Sequence, residues 1–182
     1  MARIAPPLTE RQAARIEPLG LLADEPQGLL SAWDKIERLW SAAIAEARHR
    51  QSEQLDARVN GEWSFIETLR HLVFVTDAWI RDGVLELPLP YDPIGLPPHF
   101  ITHGRELGLD LDARPTIEQV VRVRESRTNE VRDALSGTGV DDLARKCSRF
   151  DGRFTVLGAF QIVIFEEWAH HYYAARDLAA LT

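Results

Sequence analysis

One cysteine, Cys147, and one methionine stand in a chain of 182 residues. A lone thiol closes no intrachain disulfide and offers no zinc-finger spacing, and Cys147 has no histidine beside it, so it reads as a structural or incidental thiol. Basic runs are missing as well. Lys and Arg total 21 against 28 Asp and Glu, and a net charge of −7 leaves no positive field for a phosphate backbone. Nucleic acid is therefore excluded as an expected partner. No stretch approaches the roughly 20 apolar residues of a bilayer span, and the N-terminal MARIAPPLTERQAAR lacks the apolar core of a secretory signal. The expectation is a cytoplasmic protein with no membrane partner. No internal repeat or low-complexity segment appears. What the chain does have is 45% hydrophobic and 27% charged residues, close to the globular average, at a length that buries roughly 70% of the unfolded surface in one domain.

Residues 1–26 mix Pro6, Pro7, Pro18, Gly20 and Pro26 with polar residues and read as an irregular lead-in with at most one helical turn; 27–182 read as the folded domain. Leu29, Trp33, Ile36, Trp40, Ile44 and Ala47 recur at helical spacing and predict a first long helix to about His49, with Pro26 in its first turn. Asn60-Gly61 signals a turn. Ser64 and Glu67 then have the spacing of a capping box at the head of a second helix running to about Arg81. The run Leu72-Val-Phe-Val75 predicts that this helix is buried on two sides, and His71 stands at its start. Between Gly83 and Pro115, five prolines forbid a continuous helix and predict a long crossover that either covers a site or merely stiffens the chain; His99 and His103 in it read as surface residues. Thr116 and Gln119 open a third helix to about Leu135, with one narrow apolar face and a charge-rich, solvated remainder. Asp151-Gly152 suggests a tight turn or small hairpin before a last helix from Thr155 to about Leu181.

That last helix carries the least expected pattern. Phe160, Ile164, Glu167, His171, Ala174 and Leu178 form one stripe at spacings of four and three, so Glu167 and His171 point where leucine is expected. A buried carboxylate needs compensation. Either Glu167 and His171 hydrogen-bond each other and their neighbours as a satisfied core pair, or a divalent metal supplies the charge. Glu166 and His170, the second pair four apart, sit about 100° round the helix and are placed at the edge or in solvent. In a four-helix bundle, sites form from side chains on facing helices, and His71 with Glu167 and His171 makes a 2-His-1-carboxylate set that leaves coordination positions open. A ferritin-like di-iron reading rests on the Glu-x-x-His forms of Glu46/His49 and Glu167/His170, but Glu46 lies off the core stripe and the remaining glutamates are missing.

The segment Trp63-Ser-Phe-Ile-Glu-Thr-Leu-Arg-His71-Leu, followed by Glu167-Trp-Ala-His-His171 in the final helix, resembles the DinB-like superfamily of metal-binding four-helix bundles and is similar to mycothiol-dependent maleylpyruvate isomerases. The resemblance implies an all-α four-helix bundle of up-down-down-up order with a Pro-rich crossover between helices two and three. It implies His71, Glu167 and His171 as ligands of one divalent metal, zinc or nickel, with iron also accepted by such a set. It further implies a homodimer and chemistry between a low-molecular-weight thiol, such as mycothiol, and an electrophilic substrate, as in a thiol S-transferase or isomerase. A non-catalytic, stress-related or ligand-binding bundle with a structural or absent metal is the alternative. Arg176 either holds a carboxylate of the thiol or substrate, or pairs with Asp177.

Overall fold

The computed structural model describes residues 8–148 and 151–181. Seven α-helices and no strands are found among the described residues: α1 (Glu10–Ile16), α2 (Pro26–Ala47), α3 (Ser52–Asp56), α4 (Phe65–Thr76), α5 (Ile117–Gly137), α6 (Val140–Leu143) and α7 (Val156–Ala180). The four long ones make the bundle. α2 and α4 each pack against both α5 and α7.

The helix starts follow their caps. Ser64 accepts from Glu67 N–H while the Glu67 carboxylate accepts from Ser64 N–H, and Thr116 and Gln119 do the same for α5. The residues before α2 hold more structure than their proline content implies, because Thr9 and Gln12 form a third such box that starts α1. Ile16 and Leu21 then reach into the common core, so the lead-in is packed onto the domain; its first seven residues lie outside the described ones. α2 buries Leu29, Trp33, Ile36 and Trp40, the stripe expected from its spacing. All but one residue of α4, Glu67, is buried, as a central helix requires.

Past Thr76 the chain does not stay α-helical. Asp77–Val84 continues in π-helical turns, a wider winding that fits one more residue into each turn. Asp77 is fully buried there, accepting from Arg127 Nε at 2.5 Å and from Asp92 N–H at 2.7 Å. Between Val84 and Ile117 only a short 3-10 turn, Gly104–Leu107, interrupts the irregular chain. This crossover is fixed from beneath by Arg70, which is 1% exposed and donates to the carbonyls of Ile94, Asp110 and Ala113, each at 2.9 Å. The Arg70 carbonyl accepts from Leu96 N–H at 3.0 Å. At the other end, Asp151 and Gly152 both take positive φ, the geometry of a tight hairpin turn, and a bridge joins Lys146 to Thr155; Arg149 and Phe150 lie outside the described residues. No described helix is long and apolar enough to cross a membrane.

Candidate metal centre

His71 is 6% exposed, on the side of α4 that faces α7. Its Nδ1 lies 3.0 Å from the carbonyl oxygen of Leu96 in the crossover. A carbonyl only accepts, so Nδ1 carries the proton and Nε2 keeps its lone pair. Glu67, one turn earlier, plays no part in orienting the ring: its carboxylate is taken by the Ser64 cap and by Arg58 at 2.5 and 2.8 Å. The crossover does that work instead.

Across from His71 stand Glu166 and His170 of α7. Glu166 Oε2 is 3.2 Å from His170 Nε2 and 4.0 Å from His71 Nε2. One donor atom from each of the three residues falls within 4.8 Å of the others. Trp63, just before α4, packs on both imidazoles, 4.4 Å from the His71 ring and stacked on His170 at 6.0 Å. Glu166 and His170 keep 24% and 21% of their side-chain surface exposed, so the centre is buried on the His71 side and open on the other.

Burial, reinforced by the neighbouring His170, pulls the His71 imidazole down to about 3. Burial alone would raise the Glu166 carboxyl, but the hydrogen bond and charge of His170 outweigh it and hold the group below its ordinary value. His71 therefore presents a neutral imidazole and Glu166 an ionised carboxylate near neutral pH, the protonation states that divalent metals require of such ligands. Zinc binds such ligands at about 2.0–2.2 Å, which places ligand atoms roughly 3.3 Å apart in a tetrahedron. The Glu166–His170 separation of 3.2 Å already meets that distance, and the His71–Glu166 separation of 4.0 Å exceeds it by less than about 1 Å. The residues fit a metal.

The depressed His71 value has a measurable sign. Its folded pKa lies below the unfolded one, so stability is fully present above about pH 6.5 and is lost as pH falls towards 3, where the unfolded chain binds a proton that the folded site refuses. Metal-free protein is expected to lose about 2 kcal/mol more than its His71→Leu variant between pH 7 and pH 5. Urea unfolding of both at the two pH values checks this; equal losses would contradict it.

Two of the three residues expected here lie elsewhere. Glu167 is buried as its stripe predicts, at 1% exposure, yet its carboxylate faces away from His71 and accepts from Arg124 of α5 at 2.7 and 2.8 Å. Arg124 supplies a compensating charge. His171 packs edge-on against Trp40 of α2 at 5.3 Å, and burial lowers its pKa against the pull of the Leu39 carbonyl and Glu167. Adjacent residues on a helix point about 100° apart, so α7 presents Glu166 and His170 to α4, and Glu167 and His171 towards α2 and α5. Sequence spacing alone cannot separate two overlapping pairs. The distinguishing signal is the helix edge, because a centre with open coordination positions needs ligands that are only partly covered.

The remaining candidates have other partners. Arg176 donates to Asp177 at 2.7 Å and to Glu62. Glu46 pairs with Arg50 at 2.7 Å on the exposed side of α2, and Glu167 and His170 point to different faces of α7, so the two Glu-x-x-His forms do not converge. His99 is exposed and His103 partly buried, and neither joins the triad.

Comparison with curated proteins and with solved structures finds no match. The family model of the DinB superfamily matches residues 29–174, from the first turn of α2 to near the end of α7, and includes His71, Glu166 and His170. With an all-helical fold and a His/Glu cluster between two facing helices, the chain belongs to the DinB superfamily.

Proposed function

We propose that this protein binds one divalent metal through His71, Glu166 and His170 and uses it in a low-molecular-weight-thiol-dependent S-transfer or isomerisation on an electrophilic small molecule. The observation that carries the reading is the half-open triad: two imidazoles and a carboxylate converge from α4 and α7, with protein on one side and solvent on the other. A zinc or nickel ion in such a set lowers the pKa of a thiol or water and polarises a substrate oxygen.

The chain's own residues supply the rest. The Leu96 carbonyl fixes the His71 tautomer, Trp63 shields the two imidazoles, and Glu166, held ionised by His170, neutralises one charge of the cation. In the transfer, the S–H bond and the bond from the electrophilic carbon to its leaving group break as the S–C bond forms, and the thiol proton leaves with the displaced group. Mycothiol fits as the thiol on the strength of the family resemblance, as do the up-down-down-up order, a cytoplasmic setting and a homodimer.

The test begins with the metal content of untagged protein purified without chelator. About one equivalent per chain is expected in the wild type and in Glu167→Gln, and none in His71→Ala or Glu166→Gln. Metal retained in Glu166→Gln but lost in Glu167→Gln would sink the assignment. The loaded protein is then incubated with mycothiol, bacillithiol or glutathione and an electrophile such as maleylpyruvate. Metal-dependent, thiol-dependent consumption supports the catalytic reading; stoichiometric metal with no turnover of any pair leaves a metal-binding bundle without this activity.

A further inference from the structure

The crossover meets α4 and its π-helical extension along one short segment, Asp92-Pro-Ile-Gly-Leu96. At its start, Asp92 N–H donates to the buried Asp77 carboxylate at 2.7 Å. At its end, Leu96 N–H donates to the Arg70 carbonyl at 3.0 Å, and the Leu96 carbonyl oxygen lies 3.0 Å from His71 Nδ1. The segment is thus pinned at both ends, and its last residue is the one that selects the His71 tautomer.

The path between the pins is set by Asp92. Pro93 has no N–H to give, so the Asp92 side chain takes the next one: Oδ1 accepts from Ile94 N–H at 3.0 Å, an Asx turn. The Asp92 carbonyl accepts from Gly95 N–H at 3.0 Å and closes the turn. Its other carboxylate oxygen accepts from Arg127 Nη2 of α5 at 3.3 Å, and the same guanidinium gives its Nε–H to Asp77. Pro93, Ile94, Gly95 and Leu96 carry no polar side chain, so the segment has no substitute for Asp92.

Two features pass the shape of this turn on to Leu96. A Cβ on Gly95 would stand 3.2 Å from the Asp92 carbonyl oxygen and from Leu109 Cδ2, and 3.5 Å from Phe74 Cβ. The bare glycine therefore lets the segment close onto α4 three residues past His71. Leu96 in turn precedes Pro97, whose ring disfavours helical backbone at Leu96 and restricts where its carbonyl can point. We propose that Asp92 is a positioning residue of the metal centre: its side chain folds residues 92–96 into the turn that holds the Leu96 carbonyl against His71 Nδ1, and so keeps Nε2 as the free ligand atom. This rests on the reading of His71 as a metal ligand, but the positioning itself is a property of the metal-free protein.

The test accordingly starts with chelator-treated, ¹⁵N-labelled full-length protein at pH 7. Long-range ¹H–¹⁵N correlations of the imidazoles separate the Nδ1–H from the Nε2–H tautomer, and the His71 ring is assigned by its loss in His71→Gln. Asp92→Ala removes the turn, Asp92→Glu keeps the charge but is one methylene too long for the turn, and Asp92→Asn keeps an oxygen for Ile94 N–H without the charge. The wild type and Asp92→Asn are expected to show the Nδ1–H tautomer alone, and Asp92→Ala and Asp92→Glu a mixture of both. An ion pair with Arg127 that merely stabilised the fold would give the opposite order for the last two substitutions, Asn and Glu. Zinc affinity, read by competition with a chromophoric chelator, should fall about 10–100-fold in Asp92→Ala and Asp92→Glu and stay within a few-fold of wild type in Asp92→Asn. A single Nδ1–H tautomer in Asp92→Ala or Asp92→Glu, or a mixture in Asp92→Asn, would overturn the proposal. A wild type that binds no zinc would instead remove the metal reading, and the tautomers would still decide whether Asp92 positions His71.

Discussion

Arg124→Leu is expected to lower the free energy of unfolding by about 3–5 kcal/mol, which for a domain of this size removes a large part of its stability. The reason is what the substitution leaves behind. Glu167 is 1% exposed and gives both carboxylate oxygens to Arg124, so the leucine strands an ionised group in the core. Glu167→Leu should be similarly costly, because the guanidinium it abandons is itself buried over Trp40. The double variant, Arg124→Leu with Glu167→Leu, should recover most of the loss, since replacing both partners of a buried pair by apolar residues is often close to neutral. Urea unfolding of the four proteins closes a double-mutant cycle. Additive losses would mean that the pair is not a unit.

Arg70→Leu is the second large effect. Three carbonyls of the crossover, those of Ile94, Asp110 and Ala113, lose the Arg70 guanidinium at once, and each part-buried carbonyl left without a donor costs up to about 1–3 kcal/mol. Partial relaxation of the loop into solvent limits the total to about 3–5 kcal/mol. The same change should also reach the metal. Leu96, whose carbonyl orients His71, is tied to the Arg70 backbone and sits two residues from Ile94, so freeing the loop loosens the outer hydrogen bond of a ligand. Loss of such a partner typically weakens metal binding about 10–100-fold. Competition with a chromophoric chelator reads the affinity. Arg70→Lys should not restore it, because an ammonium cannot span three divergent carbonyls as the planar guanidinium does. Unchanged affinity in a protein that still folds would separate the loop from the site.

Much of this architecture is legible in the sequence. The apolar stripe of α2, the caps at Ser64 and Thr116, the central position of α4 and the burial of Glu167 all follow from spacing, because local geometry and a one-sided core dictate them. His71 is legible for the same reason. The partner of Glu167 is not, since it comes from a different helix. Arg124 and Arg127 interrupt the apolar face of α5 and look like part of its solvated surface, yet they continue the phase of Val120, Val131 and Leu135 and are buried with them. A charged residue in register with a core stripe is the available signal. It says that a countercharge exists but not where. The role of Arg70 and the carbonyl of Leu96 are further from reach, because both depend on the path of an irregular segment whose backbone no periodicity specifies.

The two faces of α7 also bear on how fast a metal can be taken up. The Arg124–Glu167 pair fixes the rotation of the helix from one side, and the Leu96–His71 hydrogen bond fixes the opposing ring from the other. Neither contact involves the cation. The helix positions of His71, Glu166 and His170 are therefore set without an ion, and only their side chains have still to converge from separations of up to 4.8 Å, unlike the ligands of a zinc finger, whose binding energy is consumed in folding the chain. On the proposed metal role, loading asks of the protein only that these side chains close on the ion, not that the polypeptide be ordered. On the same proposal, removing the metal should lower stability only by the mass-action contribution of the bound ion and leave the bundle folded.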